Sequence, residues 1–326
     1  MKESKLYSDK SLFRTGQLLN LNPELYTIWN FRRDILTNFK FKQIPDTDPL
    51  KKTAALHKLI ISELQFVQAK LSQYPKCYWI WDHRRWCLLN DSQSDWKHEL
   101  DLISMFFQAD SRNFHAWQYR RFIIQCYKDS LSSEDARIQV DWDEFKFTTK
   151  MINKDISNYS AWHNRSKLIE KLFIGSSVLK DDNDVYLQVF NAKDKLKFLR
   201  KELDLIKTAF YTDPDDSSVW IYLKWLFGDY YIKDLPKNES RKLLEDTIKD
   251  IDELNELETE DNGFDNQWCL KSDLFLLKSL LKLLPKDDSS ESWKERVDTI
   301  CDKLIQLDPM RKNKYREHKL QIATES

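Results

Sequence analysis

A tryptophan recurs along this chain in a fixed frame, and the frame limits the folds open to it. Pro75 is followed six residues later by Trp81, with Tyr78 three residues before the tryptophan and Arg84 and Arg85 just behind it. Pro23 leads in the same way to Trp29, through Tyr26 and on to Arg32 and Arg33. Ser111 leads to Trp117, with Phe114, Arg120 and Arg121; Ile156 leads to Trp162, with Tyr159 and Arg165. Pro214 with Trp220 and Lys224, and Asn262 with Trp268 and Lys271, continue the series. A decayed seventh copy runs from Pro309 to Tyr315 and His318.

An apolar stripe at helical spacing precedes most copies, as in Val297, Ile300, Cys301 and Leu304 before Pro309. The break is made by Asn22 and Pro23, Asp213 and Pro214, or Asp308 and Pro309. An Asx side chain caps free amides there, and proline is expected at the first helical position, where its missing N–H costs nothing. Each unit therefore reads as helix, short turn, helix. Successive tryptophans lie 52, 36, 45, 58 and 48 residues apart, so a bare hairpin repeat carries insertions. Residues 175–184 read as a polar loop. Residues 233–262 hold an acidic helix with Leu244, Ile248, Ile251 and Leu254 on one face, and Ser132 to Asp135 resemble a capping box. No Gly-, Ser- or Pro-rich linker divides the chain. The expectation is an all-α, crescent-shaped α–α superhelix, a solenoid of helical hairpins, forming one domain over residues 1–326.

Composition excludes several classes. With 4 glycines among 326 residues, glycine-rich phosphate loops and dinucleotide fingerprints have nothing to be built from. A formal net charge of −1 lacks the positive excess of non-specific nucleic-acid binding. The five cysteines are odd in number and no apolar leader opens the chain, which reads as reduced thiols of a cytoplasmic protein. No run approaches the ~18 apolar residues of a membrane span.

Within the frame, the tryptophans are expected to fill the space between hairpins. The aromatics three residues earlier are expected to share that buried face. The basic residues at +3 and +4 have two readings: ion pairs to neighbouring acidic helices, or a polar seam against a partner protein. His83 and Cys87 stand four apart on one helix, but no third metal ligand follows at a recognisable spacing. No nucleophile triad or carboxylate pair stands out, so no catalyst acting alone is visible.

The segment from Asn113 and Phe114 through Trp117 to Arg120 and Arg121 resembles the repeat of protein prenyltransferase α subunits, and six copies spread over residues 18–320 share the likeness. Within that family, Asn158 to Arg165, Asp213 to Trp220, Gln267 to Leu270 and Leu307 to Arg311 look most like the Rab geranylgeranyltransferase (type II) α subunits of the short fungal form. The resemblance implies a crescent wrapped around a β subunit that carries the catalytic zinc, with no cofactor bound by this chain itself. The heterodimer would transfer geranylgeranyl from geranylgeranyl diphosphate to C-terminal cysteines of Rab GTPases presented by a Rab escort protein. It further implies that Lys76, Tyr78 and His115 lie beside the diphosphate, Lys76 and His115 stabilising its charge. One departure is that no histidine precedes His57, so a zinc-approaching N-terminal histidine of the kind some relatives carry is missing, and the N-terminal arm is expected to be short or absent. Two other readings compete. One is the α subunit shared by farnesyltransferase and type I geranylgeranyltransferase, which has the same fold and site. The other is a tetratricopeptide-like scaffold, which would keep a strict ~34-residue period that this chain does not show.

Overall fold

The computed structural model describes residues 7–46, 48–179, 183–228, 234–284 and 291–324. Among these there are α-helices and short 3-10 or π turns, and no strand. The helices gather into two compact units, Met1–Ser132 and Ser133–Ser326. The first holds α1 (Asp9–Leu21), α2 (Tyr26–Ile35), α3 (Pro49–Gln73), α4 (Tyr78–Leu89), α5 (Trp96–Ala109) and α6 (Phe114–Ser130). The second holds α7 (Glu134–Lys154), α8 (Tyr159–Gly175), α9 (Val185–Ala192), α10 (Lys195–Thr212), α11 (Ser217–Leu226), α12 (Lys237–Asn262), α13 (Gln267–Leu281), α14 (Glu291–Leu307) and α15 (Lys312–Thr324). Helices pair as hairpins α1–α2, α3–α4 and α5–α6 in the first unit, and α7–α8, α10–α11, α12–α13 and α14–α15 in the second. The polar stretch 175–184 enters a 3-10 turn at Ser176–Val178, with residues 180–182 outside the described set, before the inserted α9. The acidic helix is α12, the first arm of a hairpin, and it buries Leu244, Ile248, Ile251 and Leu254 as its spacing predicts. Ser133 caps α7 through the Ala136 amide.

The tight turns explain the six-residue spacing. Pro23, Pro75 and Pro214 do not occupy the first helical position: they lie in the turn, and the helix begins three residues later. Proline suits the second place of a β-turn, where its φ is already set. The Tyr74 carbonyl accepts from the Cys77 amide across Pro75 at 3.1 Å, and Asn22 and Asp213 side chains accept the amides two residues on. The tryptophan then sits one turn into the helix with its indole N–H directed back at the turn. Trp29 donates to the Pro23 carbonyl at 2.8 Å, Trp81 to Pro75 at 2.9 Å and Trp117 to Ser111 at 2.9 Å. Trp162 reaches Ile156 at 2.7 Å and Trp220 reaches Pro214 at 2.8 Å. A buried indole needs a partner for its N–H, and a carbonyl six residues earlier supplies it. All five rings are buried.

The aromatics three residues before the tryptophan are not core. Tyr26, Tyr78, Phe114 and Tyr159 are 52%, 44%, 64% and 48% exposed. Each is the first residue of its helix, and a helical Cα–Cβ bond leans towards the N-terminus. With no preceding turn to cover it, such a ring projects past the helix end.

The +3 arginines go the other way, into the core, and the polar-seam reading fails for them. Arg32 of α2 grips Glu63 of α3 through both carboxylate oxygens, at 2.5 and 2.8 Å, and His83 of α4 adds Nε2 at 2.8 Å. Arg84 of α4 does the same to Glu99 of α5, and Tyr119 of α6 adds its hydroxyl at 2.7 Å. Arg165 of α8 holds Glu202 of α10, completed by Tyr222 of α11 at 2.6 Å. Three helices are thus joined through one carboxylate, three times over, the third set skipping the inserted α9. Burial pushes the Glu63 carboxyl up, but hydrogen bonds from His83 and Arg32 overrule it and hold its pKa at about 2. Arg33, at +4, stays nearer the surface and donates to Asp82 and to Nδ1 of His83. That bond leaves His83 protonated on Nε2, with both nitrogens engaged by protein, so it is a structural histidine and no metal ligand.

Candidate functional site

The N-terminal ends of α2, α4 and α6 lie side by side at one edge of the first unit. The Cys77 thiol donates to the Pro23 carbonyl at 3.4 Å, and Tyr26 packs on Trp79 with ring centroids 5.3 Å apart. Asn113 caps α6 by accepting the His115 and Ala116 amides and spends its own amide on the Pro75 carbonyl at 3.1 Å. The turn before α4 and the turn before α6 are therefore bonded to each other.

This bond brings the three sequence-derived residues together. Lys76 is in the turn, with a side chain 76% exposed and its ammonium 3.6 Å from Asp110. Tyr78 opens α4 and meets His115 edge-on at 5.9 Å. His115 lies in the first turn of α6, tilted against Phe114 with ring centroids 3.9 Å apart and largely covered, and its Nδ1 has no hydrogen-bond partner among the described residues. Burial pulls the imidazole below its ordinary pKa, with Glu24 opposing, so it is held neutral at pH 7. The first-turn amides of α4 receive no side-chain cap from Cys77, which leaves the positive end of the helix dipole open beside Lys76.

Chemically, an exposed ammonium, a half-exposed phenol and open helix amides can receive an anion and neutralise its charge. The set holds no activated nucleophile. Among the described residues no group of three His, Cys, Asp or Glu side chains is gathered as a metal site, and no helix is long and apolar enough to cross a membrane. Sequence reasoning missed the surface beside the cluster, made by Tyr26, Trp79 and Phe114. Their place at or next to the first helical residue was the available signal.

Known proteins share the repeat and the fold. The family described as Protein prenyltransferase alpha subunit repeat matches residues 9–39, 60–91, 96–127, 141–172 and 199–230, the five hairpins whose tryptophans are fully engaged. The geranylgeranyl transferase type-2 subunit alpha of Candida albicans is 36% identical over 97% of this chain and 86% of its own length. The protein of that name in Schizosaccharomyces pombe is 37% identical over the same shares. The Rattus norvegicus protein is 36% identical over 66% of this chain, which corresponds to 33% of that longer sequence. Among solved structures, Candida albicans protein geranylgeranyltransferase-I complexed with GGPP matches with a TM-score of 0.55 at 22% identity, over 97% of this chain and 85% of that one, a likeness of fold. The recurring tryptophan, the turn that receives its N–H and the near full-length identity lead to one conclusion: the chain belongs to the protein prenyltransferase alpha-subunit family, alongside the geranylgeranyl transferase type-2 alpha subunits.

Proposed function

We propose that this chain is the α subunit of a heterodimeric geranylgeranyl transferase of type II, working in the cytoplasm. The assembled enzyme moves geranylgeranyl from geranylgeranyl diphosphate to C-terminal cysteines of Rab GTPases held by an escort protein. The observation that carries the reading is the identity of 36–37% to fungal type-2 alpha subunits over 97% of the chain. The β subunit supplies the zinc that activates the acceptor thiolate. The contribution of this chain is electrostatic. As the bond to the isoprenoid carbon breaks, charge gathers on the departing diphosphate, and Lys76 with Tyr78 and the neutral His115 stabilises it. The 3.6 Å contact to Asp110 is a surface ion pair, weak enough for the ammonium to exchange it for a phosphate oxygen.

Lys76→Ala tests the assignment. An exposed turn lysine contributes little to folding or subunit assembly, so both are expected to be unchanged. Single-turnover transfer to a Rab–escort complex, with lipid saturating, is expected to fall about 10- to 1,000-fold, the range for loss of one charge-stabilising donor. His115→Ala acts in the same direction, more weakly. Wild-type turnover in an assembled Lys76→Ala enzyme refutes the site. Equal transfer to a short cysteine peptide without the escort protein would favour the farnesyl or type I α subunit.

A further inference from the structure

A second concave region lies within the second unit, where α11, α13 and α15 meet around a cavity of about 590 Å³. Six cations line it: Lys224, Lys271, Lys278, Lys282, Arg311 and Lys314. The chain as a whole is formally −1, so this concentration of one sign is a local feature. Asp308 answers two of the six, pairing with Lys271 at 2.8 Å and Arg311 at 3.0 Å. Lys278 has His318 Nδ1 at 2.9 Å. Lys224 and Lys314 meet no carboxylate among the described residues. Lys224 lies over the Trp268 ring, 5.7 Å from its centroid, and Lys271 over the same ring at 5.4 Å. Burial first, then the charges of Lys271 and Lys314, lower the Lys224 pKa to about 8. Like charges crowded into a half-covered space without counterions leave an attraction unspent.

We propose that this cavity binds a compact polyphosphorylated anion, with Lys224 and Lys314 as principal ligands to its phosphoryl oxygens. The volume is that of a small-ligand site and not of an extended peptide groove. A phosphate monoester places about −1.5 to −2 charges on one tetrahedral centre, so two or three such groups match the cations within this space. Carboxylates carry one charge each, so a compact polycarboxylate brings fewer charges per group to the same cations. Lysine ammonium groups, with three rotatable donors each, adapt to phosphoryl oxygens. Trp268 offers an apolar wall for the body of the ligand.

The test is isothermal calorimetry on the full-length chain, co-purified with its partner subunit, using inorganic tripolyphosphate as a soluble probe and citrate as a carboxylate comparison. Sedimentation with phosphatidylcholine vesicles containing phosphatidylinositol 4,5-bisphosphate is the lipid arm. Saturable binding is expected in at least one phosphate arm, with citrate at least tenfold weaker. Binding in the vesicle arm alone identifies a headgroup; binding of tripolyphosphate alone identifies a soluble ligand. Lys224→Gln with Lys314→Gln is expected to weaken it about 10- to 100-fold, as two charge-assisted hydrogen bonds are lost. Lys224→Met removes a charge without a counterion and keeps the fold, so its melting temperature is expected to rise less with tripolyphosphate than that of the wild type. Absence of saturable binding in both arms, citrate binding as tightly, or an unchanged affinity in the double variant overturns the proposal. None of these outcomes depends on prenyl transfer.

Discussion

Two stretches of the second unit use one sequence frame with opposite results. In α8, Trp162 is buried and Arg165, three residues on, closes both oxygens of Glu202, which Tyr222 completes. In α13, Trp268 is partly exposed, and Lys271 in the same place reaches Asp308 by a single 2.8 Å contact. Asp308 is itself buried and is met by Lys271, Arg311 and the Tyr315 hydroxyl. The other buried carboxylate of this later region is Asp273. Arg296 reaches one of its oxygens at 2.6 Å, and the other has no hydrogen-bond partner. Burial pushes both carboxyls up, yet Arg165 holds Glu202 below its ordinary value, while Asp273 rises to about 7. The fate of a buried charge thus turns on whether its lone pairs are all met, and the presence of an arginine nearby is not enough. Where the frame keeps its planar arginine it makes core; where lysine replaces it, cations are left around a cavity.

The sharpest way to break this contrast is Arg165→Met. It leaves Glu202 buried without its counterion, with hydroxyl donors alone, and is expected to cost about 3–5 kcal/mol in urea unfolding. Arg165→Met with Glu202→Leu should recover most of that loss; failure to recover would mean the arginine acts through packing on Phe145, whose ring lies 3.9 Å away. Next in size, Trp162→Ala is expected to cost roughly 3–5 kcal/mol. Trp268→Ala should stay under about 2 kcal/mol, because a part-exposed ring has less to lose. Equal losses at the two tryptophans would erase the distinction between regular and decayed hairpins.

The smallest effects are read with pH. Folded Asp273 titrates near 7 against an ordinary 3.8, so the folded state keeps a proton that the unfolded chain has given up. Stability from this group therefore falls as pH climbs from about 4 to 7. Asp273→Asn is expected to be more stable than the wild type at pH 8, by on the order of 1–3 kcal/mol, with no gain at pH 4. Glu63, held at about 2 against 4.5, works in reverse. Its contribution is present above pH 4.5 and is lost as pH falls towards 2. The deficit of Glu63→Gln should accordingly shrink between pH 5 and pH 3. Parallel pH profiles for the two variants would refute the comparison.

The helical hairpins, their turns and the buried tryptophans were legible in the sequence because each depends on near neighbours. The Asn22–Pro23 and Asp213–Pro214 pairs make turns through their own side chains, and an indole six residues on from each proline returns its N–H to that same turn. The candidate residues Lys76, Tyr78 and His115 were named from the family resemblance; their closeness follows from Lys76 and Tyr78 sharing one cassette and His115 occupying the next, whose turns are bonded to each other. What the one-dimensional pattern could not decide was direction and partnership. Tyr26, Tyr78, Phe114 and Tyr159 keep helical register with the tryptophan, yet they project from the helix end because no earlier turn covers them. Arg32, Arg84 and Arg165 find carboxylates 31, 15 and 37 residues away. Lys224 and Lys271 belong to the repeat frame and Lys314 does not, and only their convergence from three helices makes a basic cavity. Local geometry follows from residues a turn or two apart. Which charges face each other is set by the distance between packed helices, and that exists only once the chain has folded.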